Sequence, residues 1–141
     1  AYLAIKNLDD RQFKKAVLVL TTGMNIFLFI SFVWPTGLNL REGIVYDLHT
    51  LSGNLLKFVQ TVDTPKSVFP SMHVYVTLVL QYTLEMQKKL VPSWGIWVGR
   101  MLAVLIVLST MFTKQHSVLD VSAAIVMFAV LVVVVEKIVK K

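Results

Sequence analysis

The chain has 141 residues, of which 56% are hydrophobic and only 16% are charged. Soluble domains are usually closer to a quarter charged, so this composition excludes an ordinary soluble domain with a surface facing water on all sides. The absence of cysteine excludes a disulfide framework and a thiolate metal site. A net charge of +6 can indicate nucleic-acid binding, but the positions of the basic residues indicate membrane topology instead, and we expect no nucleic-acid partner.

Four apolar segments predict membrane-spanning helices. Each is long enough to cross the hydrocarbon core of a bilayer at the rise of an α-helix. They comprise residues 16–34, 71–87, 94–112 and 118–135. The second segment carries His73, Gln81 and Glu85, so it cannot face lipid on all sides and we expect it in the middle of the bundle. The sequence therefore predicts an all-α, polytopic membrane helix bundle with four spans.

The basic residues predict the orientation of these spans. If the spans alternate in direction, one side of the membrane receives most of the positive charge, from Lys6, Arg11, Lys14, Lys15, Lys88, Lys89, Lys137, Lys140 and Lys141. The other side receives only Arg41, Lys57, Lys66 and Lys114. By the positive-inside rule the first side is cytoplasmic. We therefore expect both chain ends in the cytoplasm and the starts of the second and fourth spans on the extracytoplasmic side.

The predicted extracytoplasmic connection, residues 35–70, contains a helical pattern of its own. Apolar residues recur at helical spacing, interleaved with polar ones, at Ile44, Leu48, Leu51, Leu55 and Phe58. This pattern is typical of a short amphipathic helix that either lies on the membrane or caps the bundle.

A first polar cluster, Phe69 to His73, stands at the start of the second span. Pro70 favours a helix start, and the first turn after it has unpaired backbone N–H groups. Such a terminus, with the hydroxyl of Ser71 beside it, can bind an anion, and His73 is close enough to exchange a proton with it. The alternative is a simple Pro/Ser helix cap beside a hydrogen-bonded histidine.

A second cluster, Thr113 to Asp120, stands at the start of the fourth span. His116 and Asp120 are four residues apart, so on one helix they share a face. A carboxylate that holds one imidazole nitrogen leaves the other free to act as base or nucleophile. The pair can also simply be buried in the bundle. Metal binding needs at least three converging ligands, and His49 is the only other histidine.

Taken together, the two clusters resemble motifs of the phosphatidic acid phosphatase type two superfamily. Residues 70–73, Pro-Ser-Met-His, are similar to its second motif, Pro-Ser-Gly-His, with Met72 in place of glycine. Its third motif is Ser-Arg, five residues, His, three residues, Asp. Counting back from His116 puts Ser109 on the motif serine and Thr110 on the motif arginine, and Asp120 fits the last position.

The first motif of the superfamily, Lys, six residues, Arg-Pro, is only partly kept. Arg41 occupies the arginine position, followed by Glu42, and Trp34 stands where the lysine would be. The stretch from Trp34 to Arg41 resembles the branch that includes inositol phosphorylceramide synthases. Two cations of the expected phosphate site are therefore missing, and Lys114 is placed to supply a second positive charge beside Arg41.

The resemblance implies a role for each of these residues. His116 would attack phosphorus and form a phosphohistidine, Asp120 would orient His116, and His73 would protonate the leaving alcohol. The phosphate oxygens would be bound by Arg41, Ser71, the Met72 N–H, Lys114 and Ser109. No metal or other cofactor is implied. The substrate would be a lipid phosphate that approaches with its tail still in the membrane.

The function implied is hydrolysis of a membrane lipid phosphate or diphosphate, such as phosphatidic acid or an isoprenyl diphosphate. Head-group transfer to a lipid hydroxyl remains an alternative, and the missing motif cations leave open a non-catalytic relative. Membrane members of the superfamily that this sequence resembles have six spans. We therefore expect residues 1–141 to be a single domain that corresponds to spans three to six. The expected location is a bacterial plasma membrane, with the active site outside, and the oligomeric state is left open.

Overall fold

Five α-helices form the regular structure of the chain in the computed structural model, which describes residues 9–34, 49–62, 69–112 and 117–140. The helices are α1 (Asp10–Val33), α2 (Leu51–Val62), α3 (Met72–Met86), α4 (Ser93–Phe112) and α5 (Val118–Lys140). No strand occurs within those four ranges. The predicted all-α fold is therefore confirmed for the residues that the structure describes.

Three of the described helices are long and apolar enough to cross a membrane. They are Asp10–Val33, Ser93–Phe112 and Val118–Val139, and they indicate an integral membrane protein. The remaining predicted span, residues 71–87, corresponds to α3, which has 15 residues and is therefore about 22 Å long. That is shorter than the hydrocarbon core of about 30 Å, so the predicted count of four spans is not confirmed.

Helix α3 is the centre of the bundle. It packs against α1, α4 and α5, and α1 also packs against α5. The expectation that this polar segment lies in the middle is thus confirmed. The core around it consists of aliphatic and small residues from three helices together with one tyrosine: Val19, Val74, Tyr75, Val79, Val121, Ala124, Leu131 and Val135.

The contact between α1 and α3 is built on one glycine and one tyrosine. Tyr75 is fully buried, and its hydroxyl donates a hydrogen bond to the backbone carbonyl of Val19. The ring lies directly against Gly23, where an added Cβ atom would overlap the ring carbons. Glycine at this position is what lets the two helices approach so closely.

Helix α1 runs antiparallel to α3 and extends beyond its start. The side-chain amide of Gln12 donates to the carbonyl oxygen of Met86 at 3.1 Å, and further along α1 the Tyr75 hydroxyl reaches Val19. From Gly23, against which the Tyr75 ring lies, α1 continues for about 15 Å to Val33, whereas α3 reaches its first residue in about 4.5 Å. The last turns of α1 therefore extend about 10 Å past the start of α3.

The outer ends of the first and last helices lie at the same end of the bundle. Gln12, near the start of α1, contacts the last residue of α3. Near the end of α5, the carboxylate of Glu136 accepts a hydrogen bond from the hydroxyl of Tyr82 at 3.2 Å. The start of α1 and the end of α5 therefore lie at the same end of the bundle, as the alternating spans predict, and the first eight residues and Lys141 lie outside the described residues.

Candidate functional site

The starts of α3 and α5, which carry the two sequence clusters, are in direct contact. The backbone N–H of Ser71 donates to the backbone carbonyl of Asp120 at 3.2 Å. Both residues are buried, Ser71 completely and Asp120 with 4% of its surface exposed. Two segments that are 49 positions apart in the sequence (120 − 71) are thus joined by a main-chain hydrogen bond.

Ser71 caps the first turn of α3. Its hydroxyl oxygen accepts a hydrogen bond from the N–H of Val74 at 3.4 Å, which satisfies one of the N–H groups left unpaired at a helix start. The hydroxyl accepts this bond through a lone pair, so its proton can still be donated to another group. The helix-cap interpretation and the anion-binding interpretation of this serine are therefore compatible.

Asp120 is held at the start of α5 by a reciprocal pair of hydrogen bonds with Ser117. The N–H of Ser117 donates to Oδ2 of Asp120 at 2.7 Å, and the N–H of Asp120 donates to the hydroxyl oxygen of Ser117 at 3.3 Å. This is the geometry of a capping box, and a carboxylate in the first turn also interacts favourably with the helix dipole. The arrangement fixes the position of a buried carboxylate.

Ser117 was not among the predicted site residues, although the sequence contains a signal for it. Ser or Thr followed three residues later by Asp or Glu, just before an apolar run, is the pattern of a capping box. Ser117, Asp120 and the apolar stretch after them fit that pattern. Ser117 acts on Asp120 rather than on a ligand, which makes it a positioning residue.

His73 and Met72 form the first turn of α3, directly after the buried cap. The side chain of His73 is exposed, whereas Met72 is half-buried against the core. The carbonyl oxygen of His73 accepts a hydrogen bond from the Thr77 hydroxyl at 2.7 Å. The imidazole of His73 is thus accessible in the first turn of α3.

Ser109 and Thr110 lie in the last turn of α4. The side chain of Ser109 is exposed, and Thr110 is buried with its hydroxyl donating to the carbonyl of Val107 at 2.8 Å. Because Arg100 of α4 pairs with Glu85, near the end of α3, α4 runs antiparallel to α3. The end of α4 therefore lies at the same end of the bundle as Ser71.

The predicted nucleophile His116 and the two predicted cations, Arg41 and Lys114, lie outside the described residues. Their assignments stay predictions. Among the predicted residues that the structure does describe, it brings Ser71 and Asp120 into contact and puts His73 in the adjoining helical turn.

A second polar group occupies the opposite end of α3. Nε of Arg100 lies 2.7 Å from one carboxylate oxygen of Glu85, and Nζ of Lys88 lies 3.1 Å from the other. The guanidinium also stacks over the ring of Trp97, 4.9 Å from its centroid. The Arg100–Glu85 ion pair fastens α4 to α3, whereas the Lys88 and Trp97 contacts are local to the end of α3 and to α4, respectively.

Within the described ranges, no three histidine or acidic side chains come together in a way that could hold a metal ion.

Comparison of the chain with protein-family profiles, with curated proteins and with solved structures gives no match in any of the three. The class that the fold defines is accordingly an all-helical integral membrane protein with paired, buried helix starts at one end of its bundle.

Proposed function

We propose that this chain hydrolyses a membrane lipid phosphate or diphosphate through a phosphohistidine formed on His116. The observation that supports this most strongly is the hydrogen bond between the Ser71 N–H and the Asp120 carbonyl. It joins the two segments that resemble the second and third motifs of the phosphatidic acid phosphatase superfamily. A reaction that uses one residue from each segment needs them to be neighbours.

The start of α3 has the chemistry of a phosphate site. The first turn of a helix has backbone N–H groups without intrahelical partners, and the helix dipole places partial positive charge there. In α3 that turn contains Met72 and His73, directly after the capping Ser71. Arg41 and Lys114 are the proposed additional cations, and with the exposed hydroxyl of Ser109 they complete the proposed set of phosphate ligands.

The proposed reaction has two steps. A ring nitrogen of His116 attacks phosphorus with its lone pair, the bond from phosphorus to the lipid oxygen breaks, and His73 gives its proton to that oxygen. In the second step His73 takes a proton from water, the water oxygen bonds to phosphorus, and the bond to His116 breaks with release of phosphate. Asp120, held by Ser117, stabilises the positive imidazole of His116.

The depth of the site favours a lipid substrate. The last turns of α1 extend about 10 Å beyond the start of α3, and they present exposed apolar side chains, Leu28, Phe29 and Phe32. A site recessed within the length of a membrane-crossing helix is reached more readily from the bilayer than from water. We propose that α3 completes a set of four spans and that this end of the bundle faces outwards from a bacterial plasma membrane, as the lysine distribution indicates.

The proposal can be tested with the purified protein in lipid nanodiscs. The measurement is the release of inorganic phosphate from a lipid phosphate. We expect turnover by the wild-type chain and none by His116→Ala. His49→Ala is the matched control, because His49 is an exposed histidine outside both motifs and its loss should leave turnover unchanged. Equal phosphate release by the His116→Ala variant would sink the nucleophile assignment.

Trapping the intermediate provides a second measurement. With phosphate-labelled lipid, rapid quenching in alkali preserves phosphohistidine, and the label should be found on the protein and be absent from the His116→Ala variant. If the labelled phosphate moves instead to an added acceptor lipid and no free phosphate appears, the reaction is head-group transfer and not hydrolysis.

A further inference from the structure

The short helix α2 differs from the others in having an exposed apolar stripe on a polar helix. Along its 12 residues, Leu51, Leu55 and Phe58 lie on one side, and 77%, 54% and 67% of their respective surfaces are exposed. Gly53 and Lys57 stand on the opposite side. At 100° per residue, Leu55 and Lys57 point about 160° apart.

Helix α2 is too short to cross a bilayer, at about 18 Å. It is nevertheless confined to the neighbourhood of the membrane by its connections. Only residues 63–71 separate it from the start of α3, a stretch that reaches at most about 35 Å when fully extended. It follows α1, one of the three helices able to cross the membrane, so α2 and the end of α1 belong to the same side of the bilayer.

Charge on the polar side of α2 distinguishes lipid from other partners. The sequence of the helix, LSGNLLKFVQTV, contains one lysine and no acidic residue. A lysine opposite an apolar stripe is complementary to lipid phosphates, which lie directly above the acyl chains. The stripe also has the same character as the exposed apolar surface at the end of α1, where Phe29 and Phe32 are 68% and 88% exposed.

We infer that α2 lies flat in the membrane interface, with Leu51, Leu55 and Phe58 inserted among the acyl chains and Lys57 at the level of the lipid phosphates. The partner is the bilayer surface itself. The inference depends only on the membrane-crossing helices and holds whether or not the proposed phosphatase activity exists. It resolves the two sequence interpretations of this segment in favour of the membrane surface over a cap on the bundle.

Site-directed spin labelling tests this placement directly. The chain has no cysteine, so a single introduced cysteine is the only attachment point. Labels at Leu55→Cys and Phe58→Cys are compared with labels at Gly53→Cys and Lys57→Cys, in vesicles of neutral and anionic phospholipid. References are Leu105→Cys, exposed in the middle of α4, and Lys88→Cys, exposed at the opposite end of α3.

We expect collisions with dissolved oxygen to be frequent at positions 55 and 58, and collisions with a water-soluble nickel complex to be several-fold rarer there than at positions 53 and 57. The depth calculated from their ratio should place the first pair about 5–10 Å below the headgroups. Low accessibility of positions 55 and 58 to both reagents would mean that protein covers the stripe, either this bundle or a second copy, and would overturn the inference. High accessibility to nickel at all four positions would overturn it as well.

Discussion

At the scale of single residues, the site depends on how a buried carboxylate is held. Asp120 accepts a 2.7 Å hydrogen bond from the N–H of Ser117 and is almost completely buried. Hydrogen bonds to a charged acceptor contribute about 1.5–3 kcal/mol, and at a helix start the dipole adds to this. The hydrogen bond therefore fixes the Asp120 side chain in place at the start of α5, which is what a residue that orients a catalytic histidine requires.

Replacement of Asp120 by asparagine should reduce lipid phosphate hydrolysis by about 10²–10⁴-fold, the size of the contribution from correctly placed acid–base groups. The amide has almost the same shape, but it carries no charge to stabilise a positive imidazole on His116. Turnover is measured well below the melting temperature so that stability does not interfere. The control is Ser117→Ala, which removes only the hydroxyl part of the cap and should cost about 1 kcal/mol of stability. Similar turnover in the two variants would contradict a role for the Asp120 charge.

The effect of replacing His73 by alanine on turnover should depend on the leaving group of the substrate. An alkyl lipid oxygen needs a proton as it departs, whereas nitrophenolate leaves without one. We therefore expect His73→Ala to form the phosphoenzyme from p-nitrophenyl phosphate in a rapid first turnover and then to hydrolyse it slowly. A burst of nitrophenolate measures this. A variant that loses equal activity on both substrates, with no burst, would show that His73 is not the leaving-group acid.

At the scale of helices, the sequence predicted which segments are helical better than it predicted where they end. The first predicted span, residues 16–34, is the apolar part of α1, which begins at Asp10. Likewise the predicted end at residue 135 falls short of α5, which continues to Lys140. In both cases charged residues extend the helix beyond the apolar core, because hydropathy identifies the membrane-embedded length and helical hydrogen bonding does not stop there.

The packing of one helix against another is harder to predict from the sequence than the helices themselves. Periodicity shows that a helix has polar and apolar positions, but it does not identify the partner of each face. The central position of α3 was predicted because His73, Gln81 and Glu85 are costly in lipid. The approach of α1 to α3 at Gly23 and Tyr75 was not predicted, because a lone glycine and a tyrosine 52 positions apart (75 − 23) leave no local pattern.

Gly23→Ala should destabilise the bundle by about 1–3 kcal/mol or more, the cost of overpacking a close contact. The added methyl group would overlap the ring of Tyr75, and α1 and α3 would have to separate. Thermal unfolding in detergent measures the loss. Gly95→Ala is the matched control, because there the nearest atom is a Val91 methyl at 3.1 Å on a side chain that can move.

The cause can be checked with a double-mutant cycle. In a Tyr75→Ala background the ring is absent, so adding Gly23→Ala should cost much less than it does in the wild type. Additive losses of stability would mean that Gly23 matters for a reason other than its contact with Tyr75.

At the scale of the whole molecule, the arrangement separates two chemically different ends. One end contains the joined helix starts with Ser71 and Asp120. The other contains the Glu85–Arg100 and Glu85–Lys88 ion pairs and the outer ends of α1 and α5. The assignments of Arg41 and of the nucleophile His116 come from motif resemblance alone. For one part of that site the fold supplies support that does not depend on the motifs, namely the backbone hydrogen bond between Ser71 and Asp120.

The orientation of these two ends can be tested together with the number of spans. The connection before α3 and the turn after it receive opposite predicted locations, outside for Thr64 and cytoplasmic for Lys89. A cysteine replacing Thr64 should react with an impermeant thiol reagent added to intact cells, whereas a cysteine replacing Lys89 should react only after the membrane is permeabilised. The reason is that Lys88 and Lys89 belong to the lysine-rich side, which the membrane potential and anionic lipids hold in the cytoplasm.

Each pattern of labelling has a distinct meaning because only residues 65–88 separate the two cysteines. The reverse pattern would invert the protein and put the Ser71–Asp120 end in the cytoplasm. Labelling of both positions in intact cells would mean that α3, at about 22 Å, enters the bundle without crossing the bilayer, leaving three spans. The expected pattern, outside at 64 and inside at 89, requires that α3 cross despite its length. That is physically reasonable because α1, α4 and α5 pack against α3 and shield part of its surface from lipid.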